Sequence, residues 1–451
     1  MATHHAHPVA AGPERRDFGR GAWPFYSYGT LIGIIGLVLA LVVGYLIDRS
    51  FRRFYFTYLV SYMFFLSLAL GALFFVMLQH LTRAGWSVNI RRIAEAIAAT
   101  MPILAVLSAP IFASAIFHDG SLYRWAQPAP PHVEHAAEHA EHPETAALAE
   151  EHGEHGFAHP SAHGVQPPDE LTLAKRPMLN RWAFTARVII YLLIWSILAL
   201  WFWRQSTLQD VTGDVAHTVR MQTLAAPGLL LFGITVTFAA FDLLMSLDPH
   251  WFSTIFGIYY FSGAAVAFFA TLVLILVTLQ RLGYLTVSVS KEHYHDLGKW
   301  LFGFVFFWGY IAFSQFMLIW YASIPEEVGW YARRGATTVD GHISAWSYIA
   351  IVLLVGHLLI PFGLLMSRYM KRRRTLLAIG AAWVLVFHWL DLYWITVPEL
   401  DGHVYFGILD VLTFLGLGGI FVATFVRFAS KHSLRPINDP RVEESLAFQN
   451  I

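Results

Sequence analysis

The stretch FDLLMSLDPHW, residues 241–251, places two aspartates and a histidine in one of the most apolar regions of the chain. They are Asp242, Asp248 and His250. A carboxylate in the hydrocarbon of a bilayer costs about 2.5–3.5 kcal/mol even on a lenient insertion scale. Carboxylates and imidazoles are also the side chains that carry protons through membrane proteins. These three residues are therefore the first candidates for chemistry.

A second set lies towards the C-terminus, in the apolar stretch VFHWLDLYW. His388 and Asp391 are three residues apart, so a helix places them on one face. Because histidine titrates near neutral pH, the pair could hold a proton or hydrogen-bond a quinone oxygen, with Trp389 in an aromatic wall. The alternative is a buried pair that only satisfies its own hydrogen bonds. Asp410 follows in the next apolar stretch.

Asp248 and His250 also belong to a set of seven polar residues in or beside apolar stretches that could form a proton path or its rim. The set is Asp248, His250, His357, Glu326, Glu399, His80 and Glu95. The dipeptide Asp248–Pro249 predicts a helix N-cap followed by proline at the first helical position, which is a structural role. Capping does not apply to Asp242, which falls inside a predicted helix, so we expect a functional role for it. Pro361 could kink the helix that carries His357.

The composition indicates where these residues reside. The chain has 451 residues, of which 57% are hydrophobic and 13% charged. Soluble domains have about 25% charged residues, so we predict an all-α integral membrane protein. The absence of cysteine excludes disulfides, thiolate-bound iron–sulfur clusters and attached c-type haem within this chain. A formal net charge of +0 gives no reason to expect nucleic-acid binding.

A helix needs about 20 mostly apolar residues to cross a bilayer, and ten stretches meet this requirement. The predicted spans are 28–47, 55–80, 93–116, 183–203, 224–246, 252–280, 299–322, 344–366, 376–397 and 404–427. They divide the chain into an N-terminal tail (1–27), three spans (28–117), a long loop (118–181), seven spans (182–428) and a C-terminal tail (429–451).

The loop charges predict the orientation. An even number of spans places both termini on one side, and lysine and arginine favour that side by about two to one, so we predict cytoplasmic termini. The outer half then contains Asp242, His388, Asp391 and Asp410, with Glu326 and Glu399 at its rim. His80 and Glu95 fall on the cytoplasmic side. This distribution predicts two half-channels, or one wet cavity open to the outside.

The long loop contains HVEHAAEHAEHPETAALAEEHGEHGFAHPSAHG, in which histidines alternate with glutamates. The histidines are residues 132, 135, 139, 142, 152, 155, 159 and 163. We interpret the tract as a solvated low-complexity segment that is too polar to pack. Loose metal buffering is the alternative, because the tract offers no ordered partners to orient its imidazoles.

Four segments carry a resemblance to a known family. They are FDLLMSLDPHWFSTIFGIYYFSG, KEHYHDLGKWLFGFVFFWGYIAFSQFMLIWYASIPEE, LFFVMLQHLTRAGWSVNIRRIAE and LRPINDPRVEESLAFQN. Together they resemble the ActF-type membrane subunit of alternative complex III, a bacterial quinol:electron-acceptor oxidoreductase. The resemblance extends from residue 28 to residue 451, apart from the His/Glu-rich loop. It implies an NrfD-like fold of ten helices, eight of which form two four-helix bundles.

The same resemblance implies partners and a location. A paralogous NrfD-like membrane subunit would lie beside this chain in the bacterial cytoplasmic (inner) membrane. An iron–sulfur subunit and multihaem cytochrome c subunits would lie on the periplasmic side, which agrees with the lack of cysteine here. The family's intramembrane polar positions fall on Asp242, Asp248, His250, His388, Asp391 and Asp410. The quinol site next to the iron–sulfur chain is expected in the paralogue.

These observations leave several functional hypotheses. The first is a subunit of a respiratory or photosynthetic electron-transport complex that conducts protons through Asp242, His388, Asp391 and Asp410. The second is a subunit that itself binds quinone or menaquinone in the outer half, through His388, Asp391 and Trp389. A stand-alone ion transporter is disfavoured, because we find no inverted repeat or pair of broken helices. A purely structural scaffold is the remaining possibility.

Overall fold

The computed structural model describes residues 14–117, 121–127, 169–337 and 343–449. Within these ranges ten helices are long and apolar enough to cross a membrane, so the prediction of a multi-pass all-α membrane protein is confirmed. They are α1 (Trp23–Ile47), α2 (Arg52–Leu81), α3 (Val88–Ile116), α4 (Arg181–Thr212), α5 (Ala216–Leu247), α6 (Phe256–Arg281), α7 (Lys291–Ala322), α8 (Ala345–Met366), α9 (Arg374–Asp401) and α10 (Ile408–Ala429). The histidines of the His/Glu-rich tract lie outside the described residues.

Short helical segments connect or interrupt the spans. Isolated ones are the 3₁₀ turns Gly19–Ala22 and Arg124–Ala126 and the helices Glu170–Ala174, Pro325–Arg333, Arg368–Arg372 and Val442–Leu446. α3 consists of Val88–Ala98, Met101–Leu107 and Ala109–Ile116, and the second and third of these pieces carry a proline in their first turn. Since proline lacks the N–H that a continuous helix needs, each proline explains a break.

α8 changes its helical form at mid-membrane. It runs as an α-helix over Ala345–Leu353, as a π-helical turn over Leu354–Leu359 and again as an α-helix over Ile360–Met366. Pro361 lies two residues after this turn and cannot donate a backbone hydrogen bond, which favours an altered turn before it. The predicted distortion therefore takes the form of a π-helical turn, and this turn contains His357.

Several predicted ends are displaced. α4 continues to Thr212 and α5 begins at Ala216, because these helices extend as polar helices beyond their apolar stretches. α4 ends where Gly213 adopts a left-handed conformation, with φ of 69°. α6 begins at Phe256 and α10 at Ile408, each about four residues later than predicted.

The spans pack as two groups of four. In the first group, α2 and α4 contact both α3 and α5. In the second group, α7 and α9 contact both α6 and α8. The groups meet where α2 and α5 contact α6, and where α2 contacts α9. α2 and α6 are the innermost spans, with 94% and 83% of their most apolar windows buried, against 22% for α1. A helix that is apolar all round, such as α2, is suited to this central position.

α1 and α10 form a close pair beside the two groups, and glycines make up their interface. A Cβ atom on Gly33 would lie 2.6 Å from Ile420 Cγ1, and one on Gly36 would lie 2.8 Å from the Cα of Gly416. Both distances are too short for any side chain. Small residues therefore allow the two backbones to approach, as is common between membrane helices.

The two described terminal segments meet at one end of the bundle. The Leu434 N–H donates to the Arg16 carbonyl over 2.7 Å, and Ser288 N–H donates to Glu14 over 2.6 Å. We call this the terminal end, and the other the opposite end. Between the ends, large apolar side chains on α1, α4, α7 and α8 face outwards, as contact with lipid requires.

Candidate functional site

Asp391 lies in the interior of the second group of helices. Its carboxylate accepts hydrogen bonds from the Tyr259 hydroxyl of α6 and from the Trp308 indole N–H of α7, the latter over 3.2 Å. Only 2% of Asp391 is exposed. Within the described residues, no lysine, arginine or histidine forms an ion pair with it. The carboxyl group is thus held by uncharged donors alone.

His388 lies one turn before Asp391 on α9 and reaches a different helix. Its Nε2 lies 2.9 Å from the Ser67 hydroxyl of α2. Ser67 donates its single proton to the Phe64 carbonyl over 2.6 Å, which assigns His388 Nε2 as the donor of the shared bond. His388 Nδ1 then carries the lone pair, and it has no hydrogen-bond partner among the described residues. A Cβ on Gly263 would lie 3.0 Å from His388 Cε1, so glycine makes room for the ring.

His357 adds a second buried imidazole. The π-helical turn of α8 places its ring 3.9 Å from the Trp308 ring and 6.3 Å from the His388 ring, measured between centroids. Neither nitrogen of His357 has a hydrogen-bond partner in the described part of the chain. Buried polar atoms are normally paired, so these imidazoles have hydrogen-bonding capacity that water can satisfy.

These residues form one assembly, which we call the central cluster: Ser67, Tyr259, Trp308, His357, His388 and Asp391. Five helices contribute to it, namely α2, α6, α7, α8 and α9. Trp308 joins its two halves, because its N–H binds Asp391 while its ring packs on His357. The cluster contains two titratable imidazoles and one carboxyl group, and no cationic lysine or arginine. It can therefore hold a proton at several alternative atoms.

Asp242 lies elsewhere, in the first group of helices. Arg187 of α4 binds it in a bidentate manner, with N–O distances of 2.9 and 2.7 Å, and the Tyr191 hydroxyl donates to it over 3.0 Å. A bidentate arginine pair is among the strongest polar contacts in proteins. The charge of Asp242 is thus compensated within its own group, and the structure does not bring it together with Asp391.

A network of charged residues closes the opposite end, and we call it the rim network: Asp169, Asp248, His250, Arg333, Arg334 and Glu399. Arg333 binds Asp248 and also lies 3.5 Å from Glu399. Arg334 lies 3.0 Å from Glu399 and donates to the Ile395 carbonyl over 2.6 Å. These bonds link the helix Pro325–Arg333 to α9 and to the turn before α6.

The prediction that Asp248 caps α6 is wrong. α6 begins only at Phe256, and its N-cap position is Ile255. Asp248 instead accepts the His250 N–H over 3.0 Å and binds Arg333. Asp248 has an extended backbone, and the turn that follows contains Trp251, whose ring stacks on Trp330 with centroids 4.1 Å apart.

Contacts within the rim network shift the pKa values of its residues. Burial acts to raise the pKa of Asp248, but the His250 hydrogen bond and the charges of Arg333 and Arg334 outweigh it and hold the pKa well below its usual range. The hydrogen bond to Asp248 raises the pKa of His250, and the bond to Asp169 adds to this effect. Burial lowers the pKa of Arg334 to about 10, although Glu399 partly opposes it.

Asp410 occupies a third kind of environment. Its Oδ2 accepts the Gly407 N–H over 2.9 Å at the start of α10, while Oδ1 has no hydrogen-bond partner among the described residues. Asp410 and Trp389 line an apolar groove of about 710 Å³ between α1, α6, α9 and α10. His388 and Asp391 do not line it. The three residues predicted to bind quinone are therefore not brought together around one cavity.

The remaining candidates lie near the two ends of the bundle. Glu95 lies between Arg91 and Arg92, at 3.4 and 3.1 Å, near the terminal end. The ring of His80 stacks on Phe202 with centroids 5.6 Å apart. Glu326 is exposed in the first turn of the helix Pro325–Arg333 at the opposite end. None of these three residues contacts the central cluster.

Sequence reasoning missed the arginines that compensate the acids. Arg187 falls inside the predicted span 183–203, and an arginine inside a span requires a partner, so this signal was present. Arg333 and Arg334 carried no such signal, because they belong to a loop. Ser67 and Trp308 also had none, since nothing in their local sequence distinguishes them from ordinary core residues.

Comparison with models of known protein families found no match, and comparison with curated proteins found no similar sequence.

Proposed function

We propose that this chain is a proton-conducting membrane subunit of a quinol:electron-acceptor oxidoreductase of the alternative complex III type, with Asp391 as its central proton carrier. One observation carries the proposal. Asp391 is buried among neutral hydrogen-bond donors, whereas Asp242, Asp248, Glu399 and Glu95 are each paired with arginine.

A proton carrier must change its charge without disrupting its surroundings. If an arginine-paired carboxylate took up a proton, it would leave a buried guanidinium without compensation, which is costly. The partners of Asp391 impose no such penalty. As a carboxylate it accepts from both Tyr259 and Trp308, and as a carboxylic acid it still accepts from Trp308 while donating to the Tyr259 oxygen.

The neighbouring imidazoles provide the next positions for the proton. His388 Nδ1 carries a lone pair without a partner, and both nitrogens of His357 are likewise unpartnered in the described residues. The ring centroids are 6.3 Å apart, a separation that one bridging water can span. A proton can therefore be exchanged among Asp391, His388 and His357 within a small volume in the membrane interior.

In the proposed complex, this chain handles protons and partner subunits handle electrons. Oxidation of a quinol releases protons and electrons together, and the electrons need redox centres. The chain has no cysteine, so iron–sulfur clusters and c-type haems would belong to partner subunits. We propose that these are an iron–sulfur subunit, multihaem cytochrome c subunits and a paralogous membrane subunit in a bacterial cytoplasmic membrane. The residues of this chain hold and move protons.

The packing of the helices supports the proposed NrfD-like fold. Two groups of four spans, α2–α5 and α6–α9, lie side by side, and α1 and α10 form a separate pair. This is the arrangement that the sequence resemblance implies. The central cluster lies where α9 and α6 of the second group meet α2 of the first.

The test is Asp391→Asn in the intact complex. General acid–base groups typically contribute about 10²–10⁴-fold to a rate, so we expect proton release and quinol oxidation to fall by at least about tenfold. Assembly and the haem spectra should stay unchanged. Asp401→Asn is the matched control, because Asp401 is exposed at the end of the same helix. Wild-type rates with unchanged proton stoichiometry in Asp391→Asn would contradict the proposal.

The alternative of a quinol site built from His388, Asp391 and Trp389 has less support. His388 and Asp391 face the central cluster, while Trp389 faces the groove beside α10. A quinone could not contact all three without moving α9. Density for a quinone head group between His388 and Asp391 in a map of the complex would favour this alternative over the relay.

A further inference from the structure

The apolar groove of about 710 Å³ beside α10 has no part in the proposed proton relay. α10 packs on α1, α2 and α3, and the groove separates it from α6 and α9. The lining follows α10 from Asp410 to Val426, a length of about 24 Å at a rise of 1.5 Å per residue. Most of the lining side chains are large and apolar, among them Phe64, Phe65, Phe414, Phe421 and Phe425. The body of the groove is therefore suited to an extended hydrocarbon chain.

One end of this groove is polar. Asp410 lines it and is only 1% exposed. Its Oδ2 accepts the Gly407 N–H, whereas its Oδ1 has no partner and the carboxyl group forms no ion pair in the described part of the chain. Trp389 also lines the groove, and its buried indole N–H has no acceptor among the described residues. Because buried polar atoms are normally paired, this end can accept one hydrogen bond and donate another.

Aromatic rings stand beside the Asp410 carboxyl group. Phe406 lines the groove directly before Gly407, and its ring meets the Trp389 ring edge-on with centroids 5.8 Å apart. Trp389, Phe406 and Asp410 thus lie together at one end of the groove. A carboxylate attracts a cation by its charge, and aromatic rings attract it through their quadrupole. This end is therefore suited to an ammonium group.

The polar end lies at the level of lipid head groups. Tyr405, Phe406 and Ile408 are all exposed where α10 begins. The guanidinium of Arg53 packs on the Tyr405 ring, 3.2 Å from its centroid, although Arg53 itself does not line the groove. Exposed aromatic rings beside arginine are typical of the boundary between hydrocarbon and water. A lipid can therefore place its head group at Asp410 and its acyl chain along α10.

We propose that this groove binds one phosphatidylethanolamine molecule. Its ammonium group donates to Asp410 Oδ1 beside Trp389 and Phe406, a lipid oxygen accepts the Trp389 N–H, and one acyl chain lies along α10. Phosphatidylcholine carries the same charges but has no N–H to donate, and the net negative charge of phosphatidylglycerol is repelled by a carboxylate. The inference does not depend on the proposed proton relay, because Asp410 is outside the central cluster.

The experiment uses the full chain in nanodiscs that contain phosphatidylethanolamine and phosphatidylcholine in equal amounts and with identical acyl chains. Native mass spectrometry then shows which lipid is retained. We expect one retained phosphatidylethanolamine per chain, with a preference of at least about tenfold, because a hydrogen bond between charged groups is lost with choline. Asp410→Asn keeps an oxygen for the Gly407 N–H and removes the charge, so it should abolish the preference. Asp401→Asn, at an exposed acid near the same end, should keep it.

The acyl chain is tested separately, through Val422→Trp. Val422 lines the groove and is 44% exposed, so a larger side chain can enter the space of the lipid chain. Val352→Trp on α8 is the matched control, because Val352 is 46% exposed and does not line the groove. We expect Val422→Trp to lose the retained lipid and Val352→Trp to keep it.

Three outcomes would overturn the proposal. Equal retention of the two lipids by the wild-type chain would show that Asp410 does not select an ammonium group that donates. Preferential retention of phosphatidylglycerol, when it replaces phosphatidylcholine in the nanodiscs, would show that the site favours an anion. Displacement of phosphatidylethanolamine by menaquinone at an equal mole fraction would assign the groove to a quinone. Asp391→Asn should retain the lipid as wild type does, so this test and that of the proton relay can fail separately.

Discussion

The central cluster and the rim network both contain acidic residues and histidine, but the acids have different partners. In the rim network, Asp248 and Glu399 are bound by two arginines at the C-terminal end of one short helix. In the central cluster, Asp391 is bound by a hydroxyl and an indole. If Asp391 is the proton carrier that we propose, burial alone does not distinguish it from the other buried acids. The partner decides, because an arginine fixes the charge that a hydroxyl leaves free to change.

Removing an arginine from the rim network should have the largest effect on stability. Arg334→Met leaves Glu399 buried with only Arg333 at 3.5 Å, and it also removes the bond to the Ile395 carbonyl. Breaking one side of a buried ion pair costs about 3–5 kcal/mol, so thermal unfolding in detergent should shift to a clearly lower temperature. Arg204→Met, at an exposed position, should change stability by less than about 0.5 kcal/mol.

A smaller difference in stability is expected between substitutions of Asp242, which is paired with arginine, and Asp391, which is bound by uncharged donors. Asp242→Asn replaces a charge-assisted bidentate pair, and we expect it to destabilise the fold by about 2 kcal/mol. Asp391→Asn breaks no ion pair and keeps one acceptor oxygen, so it should cost about 1 kcal/mol. The functional order should be the reverse, with proton release impaired more in Asp391→Asn. The distinction would be contradicted if the variant with the lower unfolding temperature were also the variant with the slower proton release.

The smallest expected effect concerns pH and the rim network. His250 binds Asp169 over 2.6 Å, and its pKa is raised. This contribution to stability is complete below the ordinary histidine pKa near 6.5 and is lost as the pH rises through the raised value. The unfolding temperature of wild type should therefore exceed that of His250→Gln at about pH 5.5, and the gap should shrink by about pH 8.5.

Asp248 does not complicate this measurement. Its pKa is lowered, so its stabilising contribution is present above the ordinary aspartate pKa near 3.9 and is lost only at lower pH. It stays constant across the window in which His250 titrates. If the difference in unfolding temperature between wild type and His250→Gln grows with rising pH, protonated His250 does not stabilise the fold through Asp169.

The sequence was sufficient for the features that depend on local pattern. Apolar length identified all ten spans, since no other arrangement hides so many consecutive apolar residues. The spacing of three residues placed His388 and Asp391 on one buried face. The same geometry shows why Trp389 is separate, because a residue two positions from Asp391 faces away from it on a helix.

Features that depend on tertiary contacts could not be predicted from the sequence. Arg187 and Asp242 lie on neighbouring spans, and nothing in either span says which residue of the other it meets. Arg333 pairs with Asp248 because a short helix folds back over the turn, which no periodicity encodes. The start of α6 was also misplaced, because Asp248 pairs with Arg333 and Trp251 stacks on Trp330, contacts that the local sequence does not indicate.

The glycine contact between α1 and α10 has a consequence for how the protein is made. α1, the earliest in chain order of the ten described spans, packs mainly against α10, the latest of them. Until α10 enters the bilayer, Gly29, Gly33 and Gly36 of α1 lack the helix against which they pack. Assembly of this edge is therefore a late, long-range event, whereas α2 meets its neighbour α3 during synthesis. A chain cut short before α10 would still contain every residue of the central cluster, but α1 would lack its partner.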